Sequence, residues 1–225
     1  MSRLATALCL ASLVTLAPAA QAQTPTTARQ PTRPQSGIRV RGFGEFGGRT
    51  FIASQGFDAV LGSHTGPLFG GGVEVLIGPH LFVSFGASRF QRDGERVFVS
   101  EGEVFPLGIE TTVSIRPIEA SAGWRFADPQ RSVIPYLGGG IGWHRYQETS
   151  EFAQPGDDVQ FTKTGYQVLG GAEWRAARWV GVVGEAAWMA VPGAFADVPT
   201  SAAAAFGEDD LGGAVFRVKV VIGTR

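Results

Sequence analysis

Three histidines are the side chains of this chain best suited to exchange protons near neutral pH. None is followed or preceded by a convincing partner. His64 adjoins Ser63, but neighbouring residues on a strand or turn point apart, so the two do not form a nucleophile and its base. His80 falls in a short Gly-Pro-His turn. His144 leads into Arg145 and Tyr146, without the His-x-Ser spacing of lipid A deacylases. No His, Cys, Asp or Glu spacing suggests a metal site either. The sequence therefore yields no catalytic, cofactor-binding or metal-binding residue, and argues against an enzyme.

A different set of charged residues recurs at every second position. Arg39, Arg41, Glu45 and Arg49 alternate with apolar residues or glycine, and so do Glu74, Glu110, Arg116, Glu119 and Arg125. His144, Glu173, Arg175, Glu185, Arg217 and Lys219 repeat the pattern further on. Positive and negative members nearly balance, which suits a ladder of salt bridges on one face of a sheet. A second acidic set lies in the stretches between: Asp93, Glu95, Glu101 and Glu103, then Glu148, Glu151, Asp157 and Asp158, then Asp197 and Glu208-Asp209-Asp210. Two readings stay open for it. Those acids would bind divalent cations that bridge lipopolysaccharide phosphates, or they simply solvate loops.

The elements that must position these charges are strands. From Ile38 onward the apolar period is two, in segments near 38–49, 68–77, 80–90, 109–126, 132–146, 160–174, 178–190 and 211–223. The connections at Gly78-Pro79, Ala127 to Arg131 and Arg175 to Arg178 are short. Those near 53–67, 91–108, 147–159 and 191–210 are long. Strict alternation of short turns and long loops, with both ends on one side, predicts an eight-stranded antiparallel transmembrane β-barrel with short periplasmic turns and long extracellular loops. Trp124, Trp174 and Trp179 then fall at one membrane interface and Trp143 and Trp188 at the other. In the 109–126 segment the polar parity switches near Pro117, so a bulge is expected there. The lumen of so small a barrel would be filled by the charged ladder.

The ends bound the compartment. Met1-Ser2-Arg3 is basic, and the apolar run Leu4 to Leu16 is shorter than the ~20 residues a spanning helix needs. Ala20-Gln21-Ala22 supplies the small residues of a cleavage site, so residues 1–22 read as a signal peptide and the mature chain begins at Gln23. Cys9, the only cysteine, is preceded by Leu8 where a lipoprotein signal wants a small residue. Removing the signal leaves no disulfide and, with Arg3 gone, a formal charge that moves from −1 to −2, so nothing in the balance points to nucleic acid. Residues 23–37, rich in Pro and Thr and without Val, Ile, Leu or Phe, read as a disordered periplasmic leader; residues 38–225 form the barrel domain.

The phrases Pro135-Tyr136-Leu137-Gly138-Gly139-Gly140-Ile141-Gly142, Ala122-Gly123-Trp124-Arg125-Phe126 and Gly170-Gly171-Ala172-Glu173-Trp174 are short and glycine-rich. In them residues 38–225 resemble the outer-membrane β-barrel superfamily that includes OmpW, OmpX and the OmpA transmembrane domain. The resemblance implies insertion among outer-membrane lipid and lipopolysaccharide by the barrel-assembly machinery. It departs at the end, Val221-Ile222-Gly223-Thr224-Arg225, where such barrels usually close on an aromatic residue. Three functions follow in order: a non-enzymatic envelope scaffold or surface-interaction protein, a narrow channel for small or hydrophobic solutes as OmpW resemblance would suggest, and an outer-membrane lipid A hydrolase.

Overall fold

A computed structural model describes residues 37–126, 131–150, 159–198 and 201–223. The expected signal peptide (residues 1–22), residues 23–36 of the expected leader, most of the Ala127–Arg131 turn, the acids Glu151, Asp157 and Asp158, and the last two residues lie outside that set. Eight strands follow one another around a closed barrel: β1 (Ile38–Phe51), β2 (Thr65–Ile77), β3 (Leu81–Ser100), β4 (Glu103–Arg125), β5 (Val133–Ser150), β6 (Val159–Trp174), β7 (Val180–Ala190) and β8 (Gly213–Gly223). Every neighbouring pair is antiparallel, and β1 closes the ring on β8 from Arg41↔Gly223 to Phe51↔Gly213. Closure leaves no sheet edge at membrane depth, which hydrocarbon requires of a strand-built span. Among the described residues no helix is long and apolar enough to cross a membrane.

Glycine lets this narrow ring hold large side chains. The Phe43 ring lies where a Cβ on Gly72 or Gly86 would stand, 2.8 and 3.3 Å away. His144 Nε2 occupies the same kind of space beside Gly142 and Gly165, 3.0 Å from each notional Cβ. An alanine at Gly72 would collide with the Phe43 ring, and one at Gly86, Gly142 or Gly165 would crowd the ring beside it.

The long connections are structured. α1 (Ser54–Leu61) follows β1, and a short helix α2 (Ala202–Ala205) lies between β7 and β8. Both fold over the barrel mouth, where Phe51, Phe57, Phe90, Ile115, Phe195 and Leu211 join one buried apolar cluster. The helices meet at Gly56, where a Cβ would stand 2.6 Å from the Ala203 backbone. α1 has no side-chain cap of its own. The Glu208 carboxylate serves instead, accepting the backbone N–H groups of Gln55 (3.0 Å) and Gly56 (2.8 Å), which a helix start leaves without partners.

Two expectations are corrected. The 91–108 stretch is not a loop: β3 and β4 continue as a hairpin to Ser100↔Glu103, turning at Glu101 and Gly102, whose φ angles of 53° and 84° suit a two-residue turn. Nor does β4 bulge at Pro117, since its register with β5 runs unbroken from Thr111↔Ser150 to Arg125↔Tyr136. The irregularity lies higher, between Glu95 and Val97. One parity holds along β4, so Glu110 and Arg116 point outward and are exposed, not lumenal. The cause is a change of surroundings. Above the membrane belt the outer face meets water and the inner face meets the helical lid, so the polar side changes while the strand's parity does not.

Candidate functional site

Charges placed on the inward parity of the strands meet inside the barrel in two groups. Toward the end with the short connections, Arg41 from β1 grips Glu173 from β6 through two hydrogen bonds of 2.8 and 2.9 Å. The same guanidinium binds Glu74 of β2, its Nε donating over 3.0 Å. Arg125 of β4 also donates to Glu173. A planar guanidinium matches two carboxylate oxygens at once, so this arrangement ties four strands across the bore. Arg39 lies at the lower mouth, donating to the Gly78 carbonyl at 2.9 Å. Arg175, half-buried, follows Trp174 there, and its backbone N–H donates to the Ser132 carbonyl at 2.9 Å.

The second group is centred on Arg217 of β8. It donates to Glu185 at 2.5 Å, to Glu119 at 3.1 Å and to Glu45 at 3.4 Å. Lys219 reaches the other Glu185 oxygen at 2.8 Å and lies 5.0 Å from the centre of the Phe43 ring. Three uncharged residues join that the charge pattern alone did not single out. The Tyr136 hydroxyl donates to Glu185 at 2.6 Å, while Gln167 donates to Ser121 at 2.9 Å and to Glu119 at 3.5 Å. Their signal was available: each shares the parity of an inward charge on its own strand.

Above both groups stand Arg49 and His144, 1 % and 2 % exposed. Arg49 donates to the Leu211 carbonyl at 2.9 Å and lies 4.7 Å above the Phe51 ring. It therefore joins the polar bore to the apolar lid. Between the layers remain cavities of about 20 and 10 Å³, lined in part by Glu74, Phe43 and Lys219. That is room for single waters.

The outer wall is the reverse of the interior. Ile38, Phe46, Phe69, Phe85, Ile118, Leu137, Val168, Phe216 and Val218 are all exposed. Trp124, Trp174 and Trp179 are exposed at the end with short connections, and Trp143 and Trp188 at the end with long ones. Buried charge and an exposed apolar wall would be ruinous in water, and they suit a barrel whose solvent is lipid. The chain folds as a small eight-stranded β-barrel of the kind that spans a membrane.

Solved structures of such barrels match it over most of its length. Neisserial surface protein A matches at a TM-score of 0.48 and 15% identity, covering 83% of this chain and 97% of that one. The N-terminal β-barrel domain of Pseudomonas aeruginosa OprF matches at 0.46 and 10%, covering 82% and 96%. Ail of Yersinia pestis, solved in complex with the heparin analogue sucrose octasulfate, matches at 0.44 and 12%, covering 84% and 98%. The sequence matches no protein-family model and no curated protein.

Two of the histidines and several of the loop acids make local contacts of their own. His64 Nδ1 faces Asp58 at 2.9 Å, while the Ser63 hydroxyl is bonded to the Thr65 backbone and not to His64. His80 stacks on Trp124 with ring centres 5.0 Å apart. Asp210 accepts the N–H groups of Val191 and Gly212, Asp197 meets Lys163 at 2.5 Å, Asp93 accepts from Thr112, and Glu95 from Gly108. Among the described residues no group of three or more His, Cys, Asp or Glu is arranged to hold a metal ion.

Proposed function

We propose that this barrel is a non-enzymatic envelope protein whose bore is structural and whose working surface is the part that projects beyond the membrane. The observation that carries the reading is the double filling of the bore. Paired charges occupy the membrane zone, and α1 and α2 cover the mouth with an apolar layer. A conduit needs a continuous wet path, and cavities of about 20 and 10 Å³ do not supply one.

The projecting β3–β4 hairpin supports the other half of the reading. Phe98 and Phe105 face each other across it and remain 59% and 51% exposed, with Leu107 at 48%. Apolar surface held in water beyond the bilayer is characteristic of an interaction site. The test is planar-bilayer conductance of the purified, refolded full chain, with an unboiled gel to verify folding. Little current and no large steady openings are expected. A large steady conductance would instead favour the channel, and release of acyl chains from purified lipid A would favour the hydrolase.

A further inference from the structure

Beyond the proposed role, the rim on the side of the short connections has the makings of a lipid site. The register Val133↔Trp174 continues into the bond from the Arg175 N–H to the Ser132 carbonyl, 2.9 Å. That continuation sets Arg131 against the 175–178 connection. Arg131 and Arg178 are exposed, with Arg175 half-buried beside them. Trp174 and Trp179, 54% and 53% exposed, form the adjoining belt. The Arg178 guanidinium lies over the Trp179 ring, 5.5 Å from its centre. The Trp179 carbonyl accepts the Gly223 N–H at 3.0 Å, which fixes the indole's backbone to the end of β8.

Charge at this end is one-sided. In the sequence of the three short connections, 78–80, 127–131 and 175–178, Asp128 is the only acidic residue, against Arg131, Arg175 and Arg178. We propose that Arg131 and Arg178, with the indoles of Trp174 and Trp179, bind the phosphate of an anionic phospholipid in the periplasmic leaflet. An indole settles at headgroup depth, and a guanidinium laid over it stands at the level of the phosphate, where it donates two hydrogen bonds. Placement selects a lipid over a soluble anion. Arg178 is exposed in the connection that precedes β7, with its guanidinium over the exposed Trp179 ring at the membrane-facing side of the rim, and Arg39, Arg41 and Arg125 lie in the mouth against the Gly78 carbonyl and glutamates.

The inference rests on the outer-membrane reading, and its test separates the two. The full mature chain is refolded into nanodiscs of equal phosphatidylglycerol and phosphatidylcholine, and retained lipid is read by native mass spectrometry. The wild type is expected to hold phosphatidylglycerol on the order of tenfold over phosphatidylcholine, and the R131Q/R178Q variant to hold both equally. R116Q/R145Q, which alters exposed arginines toward the opposite interface, should behave as wild type. Should R131Q/R178Q not fold, W179A takes its place, with loss of preference again expected. No preference in the wild type, unchanged retention in the rim variants, or equal loss in R116Q/R145Q would overturn the site. A change of indole fluorescence when inorganic phosphate is added in detergent would assign the rim to a soluble anion and overturn it as well. Absence of a heat-modifiable wild-type band counts instead against the barrel reading.

Discussion

Individual carboxylates inside the bore carry unequal burdens, and the difference can be measured. Glu173 serves both Arg41 and Arg125, and Arg41 retains Glu74 when Glu173 is lost. Arg125 has no second carboxylate bond among those observed at the described residues. Glu119, by contrast, shares Arg217 with Glu185 and Glu45. Glu173→Gln is therefore expected to cost about 3–5 kcal/mol, the range for stranding a buried charge. Glu119→Gln should cost about 1–2 kcal/mol, that of a hydrogen bond whose partner keeps others. Midpoints of urea unfolding in lipid vesicles give the ranking, and equal losses would show that the bore behaves as one wet, averaged electrostatic medium. These pairs were legible in the sequence as a set, because a charge at every second position has one face to occupy. Their partners were not. Arg41 and Glu173 lie far apart in the chain and meet through the curvature of the ring, which periodicity does not encode. Tyr136 and Gln167 stayed hidden because an uncharged polar residue on the right parity looks like any other.

Strands were legible where both of their faces have fixed, opposite solvents, and illegible where those solvents change. Along β4 the lipid belt ends near Ile118, and above it Arg116, Ser114, Thr112 and Glu110 take the outer face while Ile115 and Val113 turn in toward the lid. Read from the residues alone, that inversion looks like a slipped register. The hairpin tip was missed for a related reason: Val97-Phe98-Val99 and Val104-Phe105 mirror one another around Glu101-Gly102, but a polar flank on both sides hid them in an apparent loop. Parity within the belt makes a direct prediction on β7. Val183 is buried in the bore beside Glu173, Arg125 and Lys219, and Val182 faces outward on the lipid side. Val182→Asp should cost a few kcal/mol at that depth, while Val183→Asp enters a site already holding ionised groups and should be tolerated better. The fraction of heat-modifiable protein after refolding reports the difference. Equal loss in the two variants would contradict the assignment of faces. The lid has an element-scale test of its own. Removing the Glu208 carboxylate by Glu208→Ala should cost about 1 kcal/mol locally. Hydrogen exchange of residues 54–61 should accelerate while the barrel amides are unchanged.

At the scale of the molecule, two seals of different chemistry lie in series, and Arg49 joins them. The lower seal is electrostatic: opposite charges from facing strands, Arg41 with Glu173 and Arg217 with Glu119, meet across the bore. The upper seal is apolar and is assembled from segments distant in sequence, α1 and the β7–β8 connection, packed at Gly56 and Ala203. Seals in series fail only together, since ion flow is governed by the larger remaining barrier. A lid lesion, Gly56→Leu with Glu208→Ala, should force the helices apart and leave conductance near the wild-type level, because the charge layer below is intact. A bore lesion, Arg217→Ala with Glu185→Ala, removes the central pair and also leaves Glu45 and Glu119 without Arg217 and Lys219 without Glu185, so its cost in stability approaches that of stranding a buried charge. It should also conduct little, since the apolar lid still excludes ions. The combined variant is expected to show discrete openings of a small pore, its wall lined by what remains of the lower group. Single-channel recordings of all four proteins, matched for folded fraction by unboiled gel, decide the matter. Steady openings in either half-lesioned barrel would mean that one layer alone holds the bore shut and that the other has a different purpose. A silent combined variant would mean that the side chains left in place, Phe43, Tyr136 and Lys219 foremost, close around the vacated space and that the bore is filled more deeply than its ion pairs indicate.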